Sequence, residues 1–383
     1  VYRLLLAAFI SVSSALLHAA PDLVVYGGPV ITLDEADRVA EALAVEDGVI
    51  TAVGGRDAIL ASADDDTQRI DLDGRALLPG FFDSHSHATG VGMQALSANL
   101  LPAPDGEGNS IADLQRLLGE YLASEPALLA GTGWLVGFGY DDSQLSDGRY
   151  PTRHDLDTVS SDIPIVIIHQ SGHLGVANTR ALELAGITAQ TPDPEGGLFR
   201  REGPDGQPSG IMEETAFFGM LFSVLGTISD ALNDEMLLAG TKLMASYGYT
   251  TAQDGRSSPP NLASMARVAK SGSLPIDLVA YPDTLMVPDV APSLAYENRY
   301  RVGGVKLSID GSPQGKTAWL TEPYFIPPVG QPADYRGYPA ADAASIDAAI
   351  ARAFANDWQI LVHANGDAAI DALFAAVRAA RAL

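Results

Sequence analysis

The stretch LLPGFFDSHSH, residues 77–87, decides the fold, because a short apolar strand runs directly into a cluster of ionisable side chains. Further strand-like runs follow, separated by patterns typical of helices. These runs are GYTTAQDG (248–255), LPIDLVAYP (274–282), GGVKLSIDG (303–311) and WQILVHANGD (358–367). Strands that alternate with helices predict parallel strands joined by crossover helices. Ionisable residues at the C-terminal ends of such strands favour an α/β fold with a (β/α)8 barrel.

Alternation along the strands predicts which side chains point into the barrel. On a strand, alternate residues share a face, so Asp83, His85 and His87 are expected to point the same way. Taken alone, the H-x-H pair is equally consistent with two solvated histidines. Lys306 and His363 are the inward ionisable groups of two further strands, and a buried ammonium needs an ion pair, a depressed pKa or a modification. Convergence of three strands therefore predicts a metal site.

These motifs resemble the amidohydrolase superfamily, in the branch that includes N-substituted formamide deformylases. The resemblance extends over most of the chain, from about residue 22 to residue 378. It rests on LLPGFFDSHSH, VKLSIDGS (305–312), LVHANGDAAID (361–371), GTGWLVGFGYDD (131–142), the run from 150 to 187 that contains SGHLGVANTRAL, and GGLFRREGPDGQPSGIMEE (196–214). The resemblance implies a TIM-type (β/α)8 barrel, a flanking small β-sandwich, and an insertion subdomain after the first barrel strand.

The resemblance also implies a role for each candidate ligand. His85 and His87 match the ligand pair of the first strand, and His363 matches the ligand of the fifth strand. Lys306 matches a lysine that is often carboxylated by CO2 and bridges two metals, although pairing with a carboxylate such as Asp310 is the plainer alternative. One or two divalent ions, with Zn2+ expected, would support hydrolysis of a non-peptide C–N bond, either amide or N-acyl, in a small molecule.

Substrate-binding residues are expected in the insertion and beside the barrel. His173 matches a position near the substrate in relatives, with a structural loop histidine as the alternative. Trp134 and Tyr140 flank a glycine-rich strand and are candidates to line the pocket, with aromatic packing as the alternative. Asp310 shares a strand face with Lys306 and is a further candidate. His169, on an apolar strand, is expected to be a core histidine.

The chain is expected to divide into five parts. The N-terminal part, residues 1–20, begins with a single charged residue, Arg3, and continues with an apolar run that ends at Ala19–Ala20. This order is typical of a secretory signal peptide rather than of a membrane anchor or a first strand. A periplasmic or secreted location follows. The parts are a signal peptide (1–20), the N-terminal part of the β-sandwich (21–75), the first barrel strand and loop (76–98), the insertion subdomain (99–230) and barrel strands two to five (231–383).

The resemblance places three more barrel strands, with a sixth-strand histidine and the general-base aspartate of the eighth strand, beyond Leu383. The sequence is therefore expected to be a fragment, inactive by itself, of a longer chain. No catalytic residue is assigned within it. A secreted, non-catalytic binding or regulatory protein that keeps the fold is the alternative function, and the two missing residues would distinguish it from an enzyme.

Composition narrows the range of partners. The chain has 48 acidic and 23 basic residues, a net charge of -25, which repels phosphate backbones and anionic lipids. Nucleic acid is therefore excluded as a partner, and no membrane anchor is expected after signal cleavage. The absence of cysteine excludes disulfides and thiolate zinc sites. The expected partner is a small-molecule substrate, and a homodimer is left open.

Overall fold

The computed structural model of the chain describes residues 20–382, apart from 195–196, 290, 314–315 and 328–330. Two units are distinguished along the sequence, with the boundary between Gly80 and Phe81. The predicted boundary after residue 75 therefore falls inside the first unit. The predicted signal peptide lies outside the described residues, except for Ala20. Within the described part, none of the helices combines the length and the apolar character needed to cross a membrane.

The first unit is a four-stranded β-sheet with one short helix. Its elements are β1 (Leu23–Ile31), β2 (Val39–Glu46), β3 (Val49–Gly54), α1 (Arg56–Ala61) and β4 (Gln68–Asp71). The strand order is β3-β2-β1-β4. Asp47 and Gly48, with φ of 51° and 75°, connect β2 to β3. Two positive φ angles are what a type I′ turn needs, and Asp-Gly is among its preferred sequences.

The second unit begins with a very short strand and a helix. These are β5 (Phe81–Phe82) and α2 (Ala88–Ala95). The segment predicted as the first barrel strand and its loop, 76–98, therefore contains a helix as well. His87 is the N-cap residue of that helix, so the end of the strand and the start of the helix are only a few residues apart.

A six-stranded sheet follows, and apart from Ala98 it lies within the range 99–230 predicted for the insertion. Its elements, with the helices that accompany it, are β6 (Ala98–Asn99), α3 (Ile111–Ala123), α4 (Ala127–Thr132), β7 (Leu135–Tyr140), α5 (Arg153–Asp157), β8 (Ile165–His169), β9 (Leu174–Ala177), α6 (Thr179–Leu184), β10 (Gly197–Glu202), β11 (Gln207–Glu214) and α7 (Thr215–Leu225). The strand order is β10-β11-β9-β8-β7-β6. Alternation along β8 sends Val166 and Ile168 into one hydrophobic core and Ile165 and Ile167 into another. The sheet is therefore buried on both faces here.

The rest of the chain alternates strands and helices. The elements are α8 (Asp230–Ser246), β12 (Tyr249–Ser257), α9 (Pro259–Lys270), β13 (Asp277–Pro282), β14 (Tyr300–Val302), β15 (Gly304–Ser308), α10 (Ala343–Ala355), β16 (Gln359–His363) and α11 (Asp367–Arg381). Helix α10 illustrates why the sequence forms helices here. Asp342 caps its first turn, and Ile346, Ile350 and Ala353 form a buried stripe along one side.

Five strands of the second unit run parallel in the order expected for the first five strands of a barrel, namely β5, β12, β13, β15 and β16, and the short β14 pairs in parallel beside β13. β12 pairs with β5 and with β13, and β15 pairs with β16, all in parallel. A parallel bridge between Asp283 and Lys306 continues the array from β13 to β15. Exposed apolar side chains accompany the outer elements, with Phe82 on β5 75% exposed and Phe374 on α11 54% exposed. The three further barrel strands stay a prediction.

Candidate metal centre

The loop after β5 is organised by the buried carboxylate of Asp83. Its Oδ1 accepts the backbone N–H of His85 at 3.1 Å, and its Oδ2 accepts the N–H of Gln253 at 2.9 Å and the hydroxyl of Ser86. Because β5 ends at Phe82, strand alternation does not govern the following residues. Asp83 and the two histidines were predicted to share one face of a strand. They lie instead in a hydrogen-bonded loop, in which the carboxylate of Asp83 accepts backbone N–H groups.

His85 contacts the lysine of β15, and His87 lies beside His85. Their ring centroids are 5.9 Å apart, and the Nε2 of His85 lies 3.4 Å from the Nζ of Lys306. Lys306 is 3% exposed. Two nitrogens at hydrogen-bonding distance require that one of them offers a lone pair. The contact therefore joins first-strand and fourth-strand side chains that are 221 positions apart in the sequence.

The surroundings lower the pKa of two of these groups, chiefly through burial. Burial lowers the pKa of Lys306, and the guanidinium of Arg256 lowers that pKa further, against the opposing effect of Asp283. Burial also lowers the pKa of His87; Asp254 opposes this shift, and the nearby cationic forms of His85, Lys306 and Arg256 add to it. A neutral imidazole and a neutral amine are the forms that bind a metal or react with CO2.

His363 lies on the neighbouring strand but is engaged elsewhere. It is in register with Ser308 of β15, and its Nε2 lies 2.9 Å from the carbonyl oxygen of Gly311 and 3.0 Å from the side-chain amide of Asn365. A ring nitrogen that donates to a carbonyl has no lone pair for a metal. Among the described residues, no hydrogen bond joins His363 to His85, His87 or Lys306. Ligation through Nε2 would thus require the other tautomer.

The carboxylate of Asp310 accepts hydrogen bonds from the backbone. It is 4% exposed. Its Oδ2 accepts the N–H groups of Trp319 at 2.9 Å and Gly366 at 2.7 Å, and its Oδ1 accepts the N–H of Asn365 at 2.9 Å. The proposed substrate contact and the proposed pairing with Lys306 both compete with these three bonds.

Two buried aspartates beside the centre were not predicted. Asp254 accepts the N–H and the hydroxyl of Thr89, at 3.0 and 2.9 Å, and so fixes the first turn of α2. Asp283 accepts the Nε–H of Arg256 at 2.8 Å. Each lies at the C-terminal end of a predicted parallel strand. The sequence signal for both is therefore the same as for Lys306 and His363, an ionisable residue at the C-terminal end of a predicted parallel strand.

The candidates in the insertion have two different surroundings. Trp134 and Tyr140 are 7% and 0% exposed and belong to the hydrophobic cores, a placement that favours the packing alternative. The Nδ1 of His173 lies 3.2 Å from Glu214 Oε2 and 3.1 Å from the hydroxyl of Ser312, in the loop after β15. His173 therefore connects the insertion to the C-terminal end of a barrel strand.

A second cluster, of Asp141, Asp142 and His169, offers ligand atoms within 4.8 Å of one another. His169 was expected to be a core histidine, and no local pattern in the sequence connects it with the two aspartates. Its Nδ1 accepts the N–H of Ser171 at 3.0 Å, so in the neutral ring the proton is on Nε2, 3.4 Å from Asp142. A protonated Nε2 holds the carboxylates as a hydrogen-bond donor and has no lone pair for a cation.

Comparison with known proteins relates the chain to one family. The model of the amidohydrolase family matches residues 68–382. The protein YtcJ of Bacillus subtilis is 29% identical over 364 residues, 92% of this chain, and the chain spans 65% of its length. The N-substituted formamide deformylase of Arthrobacter pascens is 32% identical over 195 residues, 51% of this chain and 34% of that protein.

A solved structure shows the same fold. The crystal structure of an uncharacterised metal-dependent hydrolase from Pyrococcus furiosus superposes with a TM-score of 0.68 and 23% identity. The match covers 94% of this chain and 70% of that one. Together with the family match, it confirms an α/β fold of the TIM-barrel type.

Proposed function

The chain belongs to the amidohydrolase family, and from this premise we propose that the protein is a metal-dependent hydrolase of a non-peptide C–N bond in a small molecule. The observation that carries the proposal is the contact between His85 and Lys306. A buried lysine whose pKa is lowered by burial lies 3.4 Å from a histidine that follows another strand of the same parallel array. Nothing in the packing of an ordinary core requires such a pair.

The residues present fit a divalent cation. His85 and His87 supply imidazole nitrogens, Lys306 supplies a buried amine whose pKa is lowered by burial, and His363 ends the adjacent strand. Imidazole and oxygen donors without thiolate suit Zn2+ or a similar ion. When bound, one or two such ions would lower the pKa of water and polarise the substrate carbonyl.

Lys306 is proposed to be carboxylated. The neutral amine attacks CO2 through its lone pair and loses one proton, which gives a carbamate anion. The proton goes to solvent, and the product carries one negative charge shared by two oxygens, so like-charge repulsion between an ammonium and metal ions is removed. The lowered pKa of Lys306 supports this proposal because it raises the share of reactive amine. The bonds already made by Asp310 weaken the alternative of a simple pair with that carboxylate.

The substrate class is proposed to be an amide or N-acyl compound. The likeness to the N-substituted formamide deformylase supports this class over the half of the chain that it covers. Esters, lactones and cyclic ureides are the competing classes, since one fold serves several chemistries. A panel with one member of each class, given to the full-length protein, ranks them by kcat/KM.

Substitution of the proposed ligands tests the function. We expect His85→Asn, Lys306→Met and Lys306→Arg each to weaken metal binding at least about 100-fold. The free energy of binding a zinc ion is on the order of 10 kcal/mol and is distributed over a few ligands, so the loss of one ligand is large. Turnover is expected to fall with metal content. Matched controls are His154→Asn and Lys242→Met, which change an exposed histidine and an exposed lysine. Metal content is measured by mass spectrometry of the purified full-length protein.

Two outcomes would contradict the proposal in different ways. Equal metal content in the ligand variants and the controls would remove the metal site from these residues. Metal retained by the unmodified protein without turnover of any substrate class would instead support the alternative of a non-catalytic binding or regulatory protein.

A further inference from the structure

Glu214 has a backbone conformation that is unusual for a residue with a side chain. It is the last residue of β11 and directly precedes α7, with φ of 48° and ψ of -120°. This combination is disfavoured for residues other than glycine and costs on the order of 1–3 kcal/mol. Residues held in such conformations cluster at functional sites, and Glu214 is also a buried acid, 8% exposed.

The unusual conformation directs Glu214 towards His173. The Oε2 of Glu214 lies 3.2 Å from the Nδ1 of His173, and the backbone N–H of Glu214 donates to the carbonyl of His173 at 2.8 Å. The ring of Phe218 lies edge-on to the imidazole, with centroids 6.3 Å apart. The imidazole is thus held from two sides while its side chain stays 28% exposed.

His173 also reaches the barrel beside a residue of the proposed metal centre. Its Nδ1 lies 3.1 Å from the hydroxyl of Ser312, and the preceding residue, Gly311, accepts from the Nε2 of His363 at 2.9 Å. Successive residues of the loop after β15 therefore contact the histidine of the insertion and the histidine of β16. This places His173 at the C-terminal end of the parallel strands, where a barrel binds its substrate.

The carboxylate decides which nitrogen of His173 carries the proton. An ionised carboxylate only accepts hydrogen bonds, so the Nδ1 beside it must donate. In the neutral ring, Nε2 then keeps its lone pair and acts as an acceptor. Among the described residues, no hydrogen bond engages this Nε2.

We propose that Glu214 is a positioning residue that holds His173 with a protonated Nδ1, so that Nε2 accepts an N–H group of the substrate. The inference rests on the proposed function and deepens it, because it names the substrate class: secondary amides, which carry such an N–H. Tertiary amides and esters with the same acyl group lack it. A site built to accept an N–H discriminates against analogues without one, because its acceptor is left unpaired.

The experiment compares matched secondary and tertiary amides with the full-length protein. Glu214→Ala and His173→Ala are each expected to lower kcat/KM for the secondary amide about 10- to 100-fold, the range for leaving one buried hydrogen-bonding group without its partner. Turnover of the tertiary amide should change much less. Glu214→Gln should retain part of the preference, because its amide oxygen can still accept from Nδ1. The double variant should be no worse than either single variant, since the two residues act as one unit.

Two controls separate this role from a structural one. Glu213→Gln changes the neighbouring acid, which pairs with Arg200 instead, and should leave the preference for the secondary amide unchanged. Glu214→Gly removes the side chain and relieves the positive φ, so it should fold and still lose the preference. Circular dichroism and thermal unfolding check folding in each case.

A measurement of the His173 ring by heteronuclear NMR keeps the proposal testable without turnover. The Nδ1–H tautomer is expected in the unmodified protein and a tautomer mixture in Glu214→Ala. An Nε2–H tautomer in the unmodified protein would overturn the inference, as would equal losses for both amides or additive effects in the double variant. If the unmodified protein hydrolyses neither amide, the proposed function fails, and the tautomer measurement still decides the role of Glu214.

Discussion

The carboxylate of Asp310 joins the loop after β15 to the loop after β16. It is fully buried and accepts three backbone N–H groups, those of Trp319, Asn365 and Gly366. We expect Asp310→Asn to lower the free energy of unfolding by about 2–4 kcal/mol, because an amide NH2 would face donors that then lack an acceptor. Asp347→Asn, on the exposed side of α10, is the matched control and should change it by less than about 0.5 kcal/mol.

Urea unfolding of both variants provides the measurement. An equal, small effect of the two substitutions would mean that Asp310 does not depend on its three bonds. In that case its carboxylate would be available for the substrate contact expected from the sequence.

Helices α2 and α8 pack so closely that glycine is required where they touch. A Cβ at Gly240 would overlap the carbonyl oxygen of Ala88 and lie 2.7 Å from the nitrogen of Gly92. Gly240→Ala must therefore push the helices apart, and we expect it to lower the free energy of unfolding by about 1–3 kcal/mol. Because α2 begins after His87, the same displacement would move a proposed ligand.

Gly119→Ala is the matched control for this packing. Gly119 lies within α3, and a Cβ added there would meet nothing within 4 Å. Alanine should stabilise that helix by about 0.5–1 kcal/mol, because glycine loses more backbone freedom on folding. In thermal unfolding, we expect Gly119→Ala to raise the Tm and Gly240→Ala to lower it. A higher Tm for both variants would contradict the close contact between α2 and α8.

At the scale of the whole chain, a bound metal would connect segments that are far apart in the sequence. The proposed ligands follow β5 and lie on β15, which are brought together only when the parallel array has formed. We therefore expect Zn2+ at 100 times its dissociation constant to stabilise the folded protein by about 2.7 kcal/mol. Calorimetry should show a higher Tm for the unmodified protein and a much smaller rise, from at most about 0.4 kcal/mol, for Lys306→Met. An equal rise in Tm for the unmodified protein and for Lys306→Met would mean that Zn2+ stabilises the protein by binding at other sites.

The sequence determined the family, the alternation of strands and helices, and the strand ends that carry His85, His87, Lys306 and His363. These features follow from local patterns: hydrophobic periodicity specifies the elements, and parallel strands bring their C-terminal ends to one edge. Family membership is confirmed by the match over residues 68–382. The alternation of side chains along a strand predicted the faces of β15 correctly. The same rule failed after β5, because that strand is only two residues long and a hydrogen-bonded loop follows it.

The tertiary structure alone decided which partner each polar side chain takes. Asp310 binds backbone, His363 turns to Gly311, and Trp134 and Tyr140 lie in hydrophobic cores. The contact between His173 and Ser312 joins residues 139 positions apart. No local pattern encodes such pairings, because a hydrogen bond depends on distances of a few tenths of an ångström between elements whose relative positions are set by the packing of the entire core.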